Sequence, residues 1–137
     1  MATLTPTLTL TSSDISASEQ LNLTLTDSLA VGGPVETKRL AIDSGASNLT
    51  LANIILLAAS YSKSYTLLYN TSTAGSGEII TVGTVDGATA NLLATATQIS
   101  LAPGEWAFFP WESDIDLVAD ASSGTPVLEV RIFQNIA

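Results

Sequence analysis

Alternation with a period of two runs through most of this chain. In "TLTLTS" (7–12) leucine and threonine take turns, so an extended backbone puts Leu8 and Leu10 on one face and Thr7, Thr9 and Thr11 on the other. "QLNLTLTDSLAV" (20–31) repeats the pattern; Leu21, Leu23 and Leu25 are expected inward, and Gly32-Gly33-Pro34 is a turn signal. "SYTLLYN" (64–70) sets Tyr65, Leu67 and Tyr69 against Thr66 and Leu68, and "VLEVRIF" (127–133) lines up Leu128, Val130 and Ile132. Between them, "TSTAGSG" (71–77) reads as a flexible, hairpin-like loop, "EIITVGTV" (78–85) as a strand ending at Asp86-Gly87, and "TQISLAPG" (97–104) as strand and turn. Two segments also fit a helix: "LTLANIILLAA" (49–59), assigned to a strand by its flanking turns, and "ATANLLATATQ" (88–98). Turn signals recur about every eight to twelve residues, so the expectation is an all-β antiparallel sandwich or jelly roll of about eight to ten short strands.

At 137 residues the chain has the size of one domain and can bury a core without staples; it has no cysteine to make one. No linker or repeat divides it. Residues 1–15 are expected as an N-terminal arm or edge strand, able to add to a neighbour's sheet, and residues 16–137 as the sandwich. The opening "MATLTPTLTL" has no basic region or continuous apolar region, so no secretory signal is expected, and the longest apolar run, "IILLAA" (54–59), is far short of a membrane span.

The net charge is −9, and only Lys38, Arg39, Lys63 and Arg131 are basic, which argues against nucleic acid and against anionic membranes as partners. Charged residues make up 12% of the chain, about half the usual share, while 18 Thr and 16 Ser supply its polarity. A surface so poor in charge suits a protein that lives inside an assembly.

Catalytic chemistry finds little to use. Without His or Cys, the commonest general base and the soft metal ligands are missing. Lys63 lies between Ser62 and Ser64, but neighbours on a strand point to opposite faces, so the lysine serves neither serine. A glycosidase-type pair drawn from Glu105, Glu112, Asp114 and Asp116 has no separation set by the sequence. "TAGSGE" (73–78) lacks the Lys-Ser/Thr ending of a phosphate loop. Glu112, Asp114 and Asp116 share parity and are weak candidates for calcium, though "ESDIDLVAD" (112–120) lacks the glycine and distal glutamate of an EF-hand loop; a solvated strand face is the plainer reading. Sequons at Asn22, Asn48 and Asn70 are expected by chance in a chain this rich in Ser and Thr. No catalytic residue and no cofactor are expected, and the chain is read as no enzyme.

"PGEWAFFPW" (103–111) is more informative. Trp106 and Phe108 face one way and Phe109 and Trp111 the other, so this strand is apolar on both sides, whereas a sandwich strand ordinarily shows one side to water. Either the fold covers both sides or part of the apolar surface meets another subunit, with Trp106 and Trp111 the expected outward members. Gly104 permits a tight turn before the run, and Pro110 restricts the strand to a sheet edge or a bulge.

"LAPGEWAFFPW" and "DIDLVADASSGTPVLEVRIF" resemble the C-terminal half of small virion structural proteins of tailed bacteriophages, cyanophages in particular. "SYTLLYNTS" is similar to the Tyr-rich strand that precedes it there, with Tyr69 where a Lys is frequent, and "LTLTSSDISASEQLNLTLTDSLAV" to their Thr/Leu-rich opening. The resemblance covers about two-thirds of the chain and is strongest over 101–133. It implies a β-sandwich of the virion: a cement or decoration protein on the capsid surface, assembled in the host cytoplasm, that bridges capsomers. The partners expected for such a protein are the major capsid protein and its own copies, a trimer at a three-fold position being the first expectation. Leu8, Leu10, Trp106, Phe108, Phe109 and Trp111 would form its contacts. The alternative implied is a neck, tail or baseplate module that holds carbohydrate.

Overall fold

The computed structural model describes residues 2–13, 21–44, 49–50, 64–84, 97–111 and 117–135. These contain eleven strands and no helix: β1 (Ala2–Leu4), β2 (Thr7–Ser12), β3 (Leu21–Thr26), β4 (Leu29–Ala41), β5 (Leu49–Thr50), β6 (Ser64–Asn70), β7 (Ile80–Thr84), β8 (Thr97–Leu101), β9 (Trp106–Trp111), β10 (Leu117–Ala121) and β11 (Val127–Asn135). The protein is all-β, as the alternation predicts, with slightly more strands than expected.

The strands form a five-stranded sheet in the order β1-β4-β11-β6-β9, a four-stranded sheet in the order β5-β10-β7-β8, and a separate ribbon of β2 and β3. Every strand pair is antiparallel. Within β4 to β11 the pairing is nested: β4 with β11, β5 with β10, β6 with β9 and β7 with β8. A long double ribbon rolled on itself produces this order, which is the winding of a jelly roll.

One face of each large sheet supplies the core. From the five-stranded sheet come Leu68, Leu128, Val130 and Ile132, and from the four-stranded sheet Ile80, Val82, Leu101, Leu117, Ala119 and Ala121, all nearly or completely buried. Phe109 and Trp111 close this core at the β9 border. Pro110 is accommodated because β9 is the edge strand, with β6 as its single neighbour in the sheet.

Two expectations are corrected. Gly32-Gly33-Pro34 does not turn the chain: β4 runs through it, and the pairing with β11 slips there, from Gln134 opposite Gly32 to Ile132 opposite Glu36. Glycine and proline thus mark an irregularity inside one long strand, a place where a ladder tolerates them. The loop 71–77 is no hairpin, because β6 and β7 lie in different sheets; it carries the chain across the sandwich, with Gly75 and Gly77 at positive φ. Of the helix candidate 88–98, Thr97 and Gln98 open β8, while 88–96 lies outside the described residues. Of 49–59, Leu49 and Thr50 form β5 and the rest, like Ser62 and Lys63, is also outside them.

Asn70 ties the two sheets together at one end. Fully buried at the end of β6, its Nδ2 donates to the carbonyls of Glu78 (2.8 Å) and Leu101 (3.0 Å), next to β7 and at the end of β8, and its Oδ1 accepts from Ser72 N–H (3.1 Å). Its backbone holds the turn before β9: Gly104 N–H donates to Asn70 O, and Asn70 N–H to Glu105 O. Within that turn Glu105 N–H donates to Ala102 O at 2.9 Å and Gly104 has φ 82°, the type II geometry that Pro103-Gly104 favours. With its amide buried and engaged, the Asn70 sequon offers no glycosylation acceptor.

Replacing Asn70 by Ala leaves two carbonyls without donors and should cost about 2–3 kcal/mol in urea unfolding; Asp, which can only accept, should cost more. Thr66 Oγ1, by contrast, is buried without a partner, so Thr66→Val should raise stability by roughly 1 kcal/mol.

Candidate interaction surface

The face of the five-stranded sheet that turns away from the core is set by strand parity. On β6 the inward residues are Ser64, Thr66, Leu68 and Asn70, so Tyr65, Leu67 and Tyr69 point outward. The registers assemble the outward residues into rows across four strands. Arg39, Glu129, Tyr69 and Trp106 form one row, and Thr37, Arg131, Leu67 and Phe108 the next; Phe133, Tyr65 and Pro110 make a shorter third. This face is apolar and aromatic toward the β9 edge and charged toward β4.

Phe108 is anchored between Tyr65 and Phe133, with ring centroids 6.1 and 6.4 Å away. Trp106 has no ring against it among the described residues and is 59% exposed, the highest value among the large apolar side chains described. Trp111, expected outward, turns inward instead and packs edge-on to Phe109 at 6.0 Å beside the core. The parity is as expected; Trp106 and Phe108 form the outer set, and Phe109 and Trp111 the inner.

The charged end of the face is organised by Glu129, whose side chain is 11% exposed. Arg39 donates through Nε and Nη2 to Oε2 at 3.1 and 3.0 Å, and Arg131 through Nε and Nη2 to Oε1 at 2.9 and 2.6 Å. Each guanidinium claims one carboxylate oxygen, leaving its Nη1 donors for other partners. The hydrogen bonds from Arg131 and then Arg39 hold the Glu129 carboxyl below its ordinary value, against the opposing effect of desolvation. Sequence reading missed this trio, although the alternation of "LEVRI" (128–132) does set Glu129 and Arg131 on one side. Leu67, Tyr69, Trp106, Glu129 and Arg131 line an open groove of about 610 Å³.

The β2–β3 ribbon carries the second apolar surface. Its register places Leu8 opposite Leu25 and Leu10 opposite Leu23, with Leu21 at the far end. Contrary to expectation, Leu21, Leu23 and Leu25 are not in the core. These five leucines are 37–55% exposed, because β2 and β3 pair with each other and neither large sheet takes them up. Leu8 lines a groove of about 330 Å³ with Pro6, Thr7, Leu67, Trp106 and Phe108, so the base of the ribbon borders the aromatic end of the outer face. β1, by contrast, is an edge strand of the five-stranded sheet.

Glu112, Asp114 and Asp116 lie outside the described residues, as does Asn48. Among the described residues no group of three His, Cys, Asp or Glu side chains gathers as metal ligands do. Glu105 closes its own turn, accepting from Ala102 N–H at 2.8 Å. No protein family, curated protein or solved structure matches this chain.

Because the carboxyl of Glu129 is lowered in the fold, its ion pairs stabilise the protein at pH values above the ordinary carboxyl range, and that contribution is lost as pH falls through the lowered value. Thermal midpoints of wild type and Glu129→Gln, followed from neutral pH to about pH 3, should therefore differ most at neutral pH, with wild type the more stable, and converge in acid. A constant gap would show that the carboxylate's charge contributes nothing.

Proposed function

We propose that this chain is a structural protein of a tailed-phage particle, a cement or decoration protein that holds capsid subunits together. The observation that carries the reading is the leucine face of the β2–β3 ribbon. A two-stranded ribbon alone in water is marginal, and five leucines on one side of it need a cover. Their exposed surface amounts to roughly 400 Å², about half of one partner's share of a standard protein interface.

Charge distribution supports the same reading. β2 and β3 contain none of the 17 charged residues, so copies of a chain with net charge −9 can meet there without bringing like charges together. In the cement role the ribbon docks on the major capsid protein or on its counterpart in a neighbouring copy, three copies around a three-fold position, and the jelly roll is the rigid body between contacts. Joints closed by apolar burial resist outward pressure without salt-sensitive ion pairs. The acidic remainder of the surface keeps particles apart. Jelly rolls serve in viral capsids and in lectins alike, so the fold is compatible with the role without specifying it. The groove beside Trp106 favours the second reading, a neck, tail or baseplate module, which would be present in few copies.

The test is the location of the chain in the intact particle. The cement reading expects its density on the capsid shell, repeated with the shell's symmetry; density confined to neck or tail would reject it. The double substitution Leu10→Thr, Leu23→Thr keeps strand propensity while removing apolar surface, and should weaken attachment by about 2 kcal/mol, roughly thirtyfold. Pull-down of the variant with purified shells measures this, and undiminished binding would remove the ribbon from the contact.

A further inference from the structure

The groove on the outer sheet face is built differently from the ribbon. Its edge is Trp106, whose ring is unstacked among the described residues, and its floor is Leu67 and Tyr69. Tyr69 is 38% exposed and lies directly opposite Trp106 in the β6–β9 register, so the two form an aromatic platform at the border of the sheet. Beside it on β11 stand Glu129, opposite Tyr69, and Arg131, opposite Leu67, with Arg39 beyond on β4, and both guanidinium groups are held by one carboxylate.

These groups constrain the occupant. An apolar partner such as a leucine ribbon would cover the Tyr69 hydroxyl and the Nη1 donor groups of Arg39 and Arg131 without giving them acceptors, a cost of the kind interfaces avoid. Nucleic acid is excluded by the surrounding charge of −9. A ring with apolar C–H faces and hydroxyl edges fits both halves: the faces stack on Trp106 and Tyr69, and the hydroxyls meet the tyrosine and arginine donors. Two arginines against one glutamate leave this patch with a local excess of one positive charge on an otherwise acidic protein, which favours a ligand carrying carboxylates. The platform lies on edge strand β9, so a chain of such rings can run past the sheet border.

We propose that the Trp106–Tyr69–Arg131 groove is a binding site for an acidic saccharide, a chain of uronic-acid-type sugars. The groove adjoins the leucine face at Leu8, but Leu10 and Leu23 do not line it, and the inference holds whether the protein sits on the shell or the tail. In a particle, such a site would hold it loosely to acidic polysaccharide, many weak contacts acting together.

The test is calorimetric titration of the wild-type protein with an alginate hexamer as the acidic probe and cellohexaose as its neutral counterpart. Tryptophan emission is followed in parallel in a Trp111→Phe background, which leaves Trp106 as the reporter. The expected result is saturable binding of the alginate hexamer, at least tenfold weaker for cellohexaose. Trp106→Ala and Arg131→Gln, each checked for an unchanged circular-dichroism spectrum, should weaken alginate binding at least tenfold. Equal binding of both sugars would overturn the assignment to acidic saccharides, and no binding of either, or full binding by Trp106→Ala, would overturn the site. A Trp106 emission that shifts when the protein is concentrated without sugar would mark a second copy as the occupant and also overturn it. Loss of shell binding in the Leu10→Thr, Leu23→Thr variant leaves these outcomes untouched, so the two proposals fail separately.

Discussion

A two-layer sandwich buries one face of each sheet, and strands whose residues are apolar at both parities exceed what it can cover. β9 is such a strand, and its neighbour β6 turns its more apolar set outward. Their inward residues, with those of β11, meet the four-stranded sheet in a core that is almost completely shielded from water. Their outward residues, Tyr65, Leu67, Tyr69, Trp106 and Phe108, are covered by no further sheet among the described residues, and the β2–β3 ribbon adds a leucine face that borders them at Leu8. The shape of the molecule follows from this surplus: a well-packed jelly roll with apolar surface left over on one side, arranged in rows by the strand registers.

Rigid support under that surface distinguishes it from a merely sticky one. Asn70 joins the end of β6 to the chain beside β7 and β8 and fixes the turn that launches β9, so Trp106 leaves the turn in a defined direction. Glu129 gathers two arginines at the other end of the same rows. Phe108 is wedged between two rings. The outer face is thus a preorganised surface, and little ordering cost attends binding to it. The ribbon differs, since its two strands pair with neither large sheet and border the outer face only at their base. Its burial in an assembly gains more and orders more.

Much of this was legible in the sequence because a period of two is difficult to imitate. The all-strand class, the edge position of the Pro110 strand, the turn at Gly104 and the shared side of Leu128, Val130 and Ile132 all follow from local pattern. Alternation states which residues share a face; it does not state which face is inside. On β6 the more apolar set, Tyr65, Leu67 and Tyr69, is the outer one, and the core takes Leu68 with Ser64, Thr66 and Asn70, whose amide is bonded between the sheets. The same ambiguity places Leu21, Leu23 and Leu25 in a core they do not enter and Trp111 on the outer face, whereas it lies half-buried on the inner one. Gly32-Gly33-Pro34 looked like a turn because local chemistry is the same for a turn and for a slipped ladder; only the long pairing of β4 with β11 tells them apart. The Arg39–Glu129–Arg131 trio was hidden for a further reason, since its first member is 90 residues from the glutamate.

The central physical claim is that apolar surface left bare by the single chain is covered when the protein does its work. Amide hydrogen exchange of the free chain in dilute solution and of the same chain in the proposed phage particle tests this directly. β2 and β3 should exchange much faster than β6 and β11 in the free chain and gain strong protection in the particle, while β6 and β11 stay slow in both. Ribbon amides as slow as those of β11 in the dilute chain, or equally fast in both states, would contradict it.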